Sequence, residues 1–115
     1  MKQPDRTFYV LHMLECIANI EEDTAGGREA FFRSRTLRDA VMRNLQLLAE
    51  SGKRVPELVK VQFADVPWTD LADFRNVAVH DYMRIDFDEI WQIVIRDVPP
   101  LKAQLQRIAD EMRPS

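Results

Sequence analysis

The chain has 115 residues, of which 46% are hydrophobic and 30% charged, and only three are glycine. This composition excludes a disordered chain and predicts one compact helical domain over residues 1–115. No stretch approaches the roughly 20 apolar residues of a membrane helix, and the start of the chain lacks the apolar core of a signal peptide. The single cysteine, Cys16, indicates a buried thiol in a reducing compartment, so we expect a cytoplasmic protein with no membrane contact.

The formal net charge of −3 argues against a protein that coats nucleic acid along its length, because neutralising phosphates takes many basic side chains. The same net charge is compatible with a local basic cleft on an otherwise acidic protein surface.

The first predicted helix follows the start signal Pro4-Asp5 and continues to about Thr24, where Gly26-Gly27 ends it. Its apolar residues recur at three- and four-residue steps, namely Phe8, Leu11, Leu14, Ile17 and Ala18. His12 and Glu15 on this helix are expected at the solvated surface.

A second helical pattern starts at Arg28. Thr36 and Asp39 have the spacing of a capping box, but the periodicity passes through them, so we predict one long helix to about Gly52. The first two helices then form an antiparallel hairpin with a short connection.

Three further helices are predicted. Pro56 opens a short one that ends near Phe63, a longer one covers residues 68–81, and Asp86 caps the last. Pro99-Pro100 must kink or break that last helix. Its inward residues are expected to be Ile90, Trp91, Val94, Ile95 and Val98, followed by Leu101, Leu105 and Ile108. The predicted architecture is all-α, an antiparallel four-helix bundle with a short additional helix, and bundles build sites from facing helices.

The most informative stretch runs from Phe74 to Tyr82, because it sets polar groups among residues apolar enough for a core helix. Arg75 and His80 are five residues apart, so a regular helix directs them roughly 140° away from each other. Either the helix ends at His80, or a second copy supplies the missing group across a two-fold axis. Our working prediction is a homodimer.

Each polar residue of this stretch has a chemical and a purely structural interpretation. His80 suits a general base or acid, or a helix-end histidine bonded to a carbonyl. Arg75 is suited to binding a phosphate or stabilising a phosphorane. Its structural alternative is a salt bridge to Asp73 or Asp39. Asn76 suits the orientation of the imidazole, or a hydrogen bond to water.

Together these groups fit one reaction. RNA cleaves itself when its 2′-hydroxyl attacks the adjacent phosphate, so an enzyme needs only a base, a charge stabiliser and a proton donor. No cofactor or metal site is predicted, since His12 and His80 are the only histidines and no carboxylates have convergent spacing.

Arg75, Asn76 and His80 match the hallmark of the HepT-type members of the HEPN superfamily, which the chain resembles over nearly its whole length. Further residues fall in the order of that family, among them the segments 39–45, 49–51, 55–58, 66–68 and 98–101. The resemblance implies a HEPN-like fold and a metal-independent endoribonuclease toxin. It assigns catalysis to Arg75 and His80, with Asn76 in support.

The resemblance also implies a role for Tyr82. HepT is partnered by MntA, a minimal nucleotidyltransferase antitoxin that transfers AMP to the tyrosine of this motif. A bulky anion there would repel RNA and fill the site. The alternative is that Tyr82 only packs at the end of the Phe74 stripe. A second reading of the whole chain is a non-catalytic helical subunit that docks and regulates a nucleotidyltransferase, which the acidic balance favours.

Overall fold

The computed structural model describes residues 6–71, 74 and 86–113. Every regular element in these ranges is helical, which confirms the all-α, HEPN-like bundle that the sequence predicts. The elements are α1 (Phe8–Thr24), α2 (Arg28–Arg33), α3 (Arg35–Arg54), α4 (Glu57–Gln62), α5 (Phe87–Gln92), a π-helical segment (Ile93–Asp97) and α6 (Val98–Glu111). Leu71 and Phe74 are also helical.

Helix α1 is the centre of the bundle, because it packs along α3 and also against α6. The core takes residues from every helix of the described part. Its fully buried large side chains include Met13, Ile17, Ile20, Phe31, Leu45, Leu48, Phe63, Leu71, Ile90, Leu101, Leu105 and Ile108. None of the helices in the described ranges has the length and apolar character needed to cross a bilayer.

The end of α1 at Thr24 agrees with the prediction, and Gly27 starts α2 with a φ of 92°, a conformation that favours glycine. The apolar residues that predict α1 do not all lie in the core. Ile17 is buried, but Phe8 and Leu11 are 52% and 53% exposed. Apolar residues lie on most sides of α1, so the positions of α3 and α6 decide which of them become core.

The prediction of one helix from Arg28 to Gly52 is wrong. Ser34 interrupts it with an extended backbone (φ −111°, ψ 110°), and its hydroxyl accepts a hydrogen bond from the Leu37 amide at 3.2 Å. A serine that caps a helix offers the backbone an alternative to continuing the previous one. The capping signal therefore belongs to Ser34, two residues before the predicted Thr36.

The last helix begins as predicted, because Asp86 Oδ1 accepts hydrogen bonds from the amides of Asp88 and Glu89. It does not break at Pro99-Pro100. It widens into a π-helical segment, in which the Val98 amide donates to the Ile93 carbonyl. The wider turn places both prolines in the first turn of α6. Backbone amides there have no acceptor within the helix, so the missing N–H groups of proline cost no hydrogen bond of α6.

Candidate functional site

The four predicted site residues, Arg75, Asn76, His80 and Tyr82, lie in the segment 75–85, outside the described residues. Residues on both sides of this segment are described, and each of these two flanks packs on the core. These two anchors and the grooves beside them constitute the candidate site.

The upstream anchor is the turn from Pro67 to Leu71. The Trp68 indole Nε1 donates a 3.0 Å hydrogen bond to the Phe63 carbonyl, and the Leu71 amide donates to the Pro67 carbonyl at 3.1 Å. Leu71 is fully buried and packs on Gly52 of α3. The turn that precedes the segment in the sequence is therefore fixed by these two hydrogen bonds and by the burial of Leu71.

The downstream anchor is the start of α5. The Phe87 ring lies edge-on to Phe31, with their centroids 6.3 Å apart, and the Arg38 guanidinium lies 5.1 Å from the centre of the Phe87 ring. Arg38 also donates to the Phe32 carbonyl, and Trp91 packs on Phe31 at 5.3 Å. Both ends of the segment are thus attached to the same core.

Two grooves flank the Pro67–Leu71 turn. The α3–α4 groove lies between the end of α3, α4 and the turn, and its charged lining residues are Glu50, Lys53, Arg54, Glu57, Lys60 and Asp70. The second groove, of about 500 Å³, lies between the turn, Phe74 and the π-helical segment. Its charged lining residues are Asp65, Asp70, Glu89, Arg96 and Asp97. Positive side chains therefore concentrate on the α3–α4 side.

The expectation that His12 lies at the solvated surface is wrong. It is half-buried, and its Nδ1 lies 2.5 Å from the hydroxyl oxygen of Ser51, in a hydrogen bond that joins α1 to α3. Ser51 itself is only 5% exposed. A signal for this position was present in the sequence, because His12 precedes the buried Cys16 by four residues and so shares its face.

Cys16 is buried, as predicted. Burial raises the pKa of its thiol to about 11, and the nearby charge of Glu15 adds to the rise. The thiol is therefore protonated and unreactive at neutral pH.

One alternative for Arg75 was a salt bridge to Asp39. The Asp39 carboxylate lies 3.6 Å from Arg35 Nε on the surface of α3. Within the described ranges, no three His, Cys, Asp or Glu side chains form a group that could hold a metal ion.

A family model described as "Ribonuclease HepT-like" matches residues 13–108. A Methanocaldococcus jannaschii protein named "Gamma-glutamylcyclotransferase and putative RNase" is 33% identical over 109 residues, covering 94% of this chain and 49% of that protein. A "Probable ribonuclease HepT" of Thermococcus cleftensis is 30% identical over 101 residues, covering 87% and 92%.

A "Putative RNase" of Caldanaerobacter subterraneus is 29% identical over 101 residues, covering 87% of this chain and 90% of that protein. The chain thus spans about half of the Methanocaldococcus jannaschii relative and about nine-tenths of the other two. No solved structure matches the chain.

Proposed function

Because the chain belongs to the HepT-like ribonuclease family, we propose that it is a metal-independent endoribonuclease toxin that acts in the cytoplasm. Its catalytic residues are Arg75 and His80, supported by Asn76. The observation that carries the proposal is the family match over residues 13–108, which includes the whole segment 75–85.

The proposed reaction uses the 2′-hydroxyl of RNA as the nucleophile. His80 accepts the proton of that hydroxyl, the 2′-oxygen bonds to phosphorus, and the bond from phosphorus to the 5′-oxygen breaks. Arg75 donates hydrogen bonds to the phosphoryl oxygens as negative charge grows on them. The products carry a 2′,3′-cyclic phosphate and a 5′-hydroxyl, which takes up a proton.

The proposed site is composite. Arg75 of one subunit and His80 of its twin face one cleft of a homodimer, because five residues of regular helix direct the two groups roughly 140° apart. The described residues on both sides of the segment support a fixed position for the site, because Leu71 is buried in the core and the Phe87 ring packs on Phe31.

The proposed regulator is a minimal nucleotidyltransferase antitoxin of the MntA type. It transfers AMP from ATP to the Tyr82 hydroxyl and releases pyrophosphate. The added phosphate and adenosine repel the RNA backbone and fill the cleft, which silences the nuclease.

The test is cleavage of RNA by purified protein, with the new ends analysed for 5′-hydroxyl and cyclic phosphate. We expect His80→Ala and Arg75→Ala each to reduce cleavage by at least about a hundredfold, because each removes one part of the acid–base or charge-stabilising machinery. A chelator should leave the wild-type rate unchanged. Undiminished cleavage by a folded His80→Ala variant would refute the proposal.

A second candidate function is a non-catalytic subunit that docks a nucleotidyltransferase. The net charge of −3 favours it, because RNA binding draws on positive charge. Protein that binds such a partner and cuts no RNA at any concentration would select this function over the first.

A further inference from the structure

The α3–α4 groove opens beside the residues that lead into the segment 75–85. We propose that it holds a single-stranded stretch of the RNA that the protein cleaves. Lys53, Arg54 and Lys60, the groove cations, contact phosphates, and the Trp68 ring contacts a base. This inference rests on the proposed ribonuclease function and adds to it the place where substrate is held.

The size and position of the groove suit a chain better than a small molecule. Its volume is about 1340 Å³, whereas pockets that enclose a small ligand run from roughly 300 to 1,000 Å³. Its lining ends at Trp68, Thr69 and Asp70, directly before the buried Leu71. RNA lying in the groove therefore passes next to the turn that leads to Arg75.

The groove cations, like Arg6, Arg38 and Arg43, are outside the ion pairs of the described residues. The ion-paired basic residues of the described part are Arg28, Arg33, Arg35, Arg96, Lys102, Arg107 and Arg113. No groove cation forms an ion pair within the described ranges, and Lys60 Nζ donates instead to the Lys53 carbonyl at 3.2 Å. No ion pair among the described residues therefore neutralises their positive charge.

The helix dipole alone does not account for these charges. Lys53 and Arg54 close α3, where positive charge offsets the partial negative charge of the helix end. Both side chains nevertheless stay exposed, and Lys60 of α4 brings a third charge to the same groove. The favourable interaction with the end of α3 explains the positions of Lys53 and Arg54. Their exposed side chains remain accessible to an anion.

Trp68 gives the groove a surface for bases. Its indole is held at one edge by the 3.0 Å hydrogen bond to Phe63, and Lys60 Nζ lies 5.9 Å from the ring centre. Val61, which lines the same groove, is 68% exposed and adds apolar surface to it. Aromatic rings and apolar surface between cations are the features on which single-stranded nucleic acid stacks.

Carboxylates in the α3–α4 groove limit how much of the RNA backbone can bind there. Glu50, Glu57 and Asp70 line the same groove and repel phosphates. Binding is therefore restricted to the few phosphates that the groove cations reach. This fits a protein whose net charge of −3 argues against extensive coating of RNA.

The binding test uses a fluorescein-labelled single-stranded RNA and protein carrying His80→Ala, so that the probe is not cut. Neutralising the groove cations (Lys53→Gln, Arg54→Gln, Lys60→Gln) should weaken binding at least about tenfold at low salt. It should also reduce the slope of log K against log salt by about 2, because three phosphate contacts are lost. The control, Arg33→Gln with Lys102→Gln and Arg113→Gln, changes the net charge equally by removing ion-paired cations and should bind within about twofold of its parent.

The kinetic test uses protein with His80 intact. The neutralised groove should raise KM for RNA and leave kcat within about twofold, since no reacting atom is touched. Trp68→Leu should raise KM likewise, and Trp68→Phe, which keeps a ring but loses the hydrogen bond to Phe63, should raise it less.

Equal RNA binding and equal KM in the neutralised variant and the control would overturn the inference while the ribonuclease function stands. RNA binding that survives neutralisation, with loss of binding to the nucleotidyltransferase, would make the groove a protein interface and also overturn it. Wild-type protein that neither binds nor cuts RNA would fail both proposals together.

Discussion

Leu71 packs directly on Gly52. A Cβ atom added at position 52 would lie 3.0 Å from Leu71 Cδ1 and 3.2 Å from Met13 Cε. Leu71 precedes Arg75 by four residues in the sequence, so this contact ties α3 to the described turn nearest the proposed catalytic segment.

We expect Gly52→Ala to change the free energy of unfolding by less than about 1 kcal/mol, because its helix-propensity gain offsets the movement of two flexible side-chain ends. Gly52→Leu should lower it by about 1–3 kcal/mol, since the larger side chain displaces Leu71. Urea unfolding followed by circular dichroism measures both. A Gly52→Leu protein as stable as wild type would contradict the close packing.

The hydrogen bond between His12 and Ser51 should contribute measurably to stability, because Ser51 is buried. Ser51→Ala is expected to lower the free energy of unfolding by about 1–2 kcal/mol. Asn19→Ala is the control, since it removes an exposed side-chain hydrogen bond to Asn44 and should cost under about 0.5 kcal/mol. Equal losses in the two variants would show that burial does not strengthen the His12 contact.

Cys16 should resist alkylation in the folded protein. With a pKa of about 11, about a thousandth of the thiol is ionised at pH 8. Iodoacetamide should therefore react fast only in denaturant. As pH rises from about 9 to about 11, the unfolded thiol ionises first, so the free energy of unfolding should fall. Rapid labelling of native protein at pH 8 would argue against this burial.

Mixing inactive subunits tests the composite site. If Arg75 and His80 act across the dimer, each mixed dimer of Arg75→Ala and His80→Ala subunits regains one intact site. Random exchange should then restore about a quarter of the wild-type cleavage rate. Each variant mixed with itself serves as the blank. No recovery after confirmed subunit exchange would assign both groups to one subunit.

Tyr82→Phe should escape the antitoxin without losing nuclease activity. The substitution removes only the hydroxyl that is proposed to receive AMP. We expect unchanged RNA cleavage, no added AMP by mass spectrometry and no silencing when the nucleotidyltransferase and ATP are present. AMP on the Tyr82→Phe protein would place the modification on another residue.

Much of the fold was predictable from the sequence, because local chemistry decides its helix ends. Asp86 caps α5, Gly27 opens α2 and Pro56 precedes α4, all from residue types that suit those positions. The helix boundary at Ser34 was not predicted, because the apolar periodicity continues through this position. The hydrogen bond that the Ser34 hydroxyl accepts nevertheless starts a new helix there.

Burial was harder to predict than helicity. Leu11 and Ile95 fit apolar patterns but are about half exposed, whereas Ile93 is buried. Which side of a largely apolar helix becomes core depends on where distant helices lie. The proposed catalytic residues were found from their chemistry and from the family resemblance, and they lie outside the described residues.

The π-helical segment keeps the buried residues before and after it on the same side of the last helix. Ile90, Val94 and Val98 are buried at two successive four-residue steps, a spacing that a regular helix would turn about 80° out of line. The five residues of the π-helical segment turn through a smaller angle per residue than an α-helix does, which cancels this rotation. The helical stretch from Phe87 to Glu111 can therefore pack on the Phe31 ring with its first half and on α1 with its second, without a loop between the two halves.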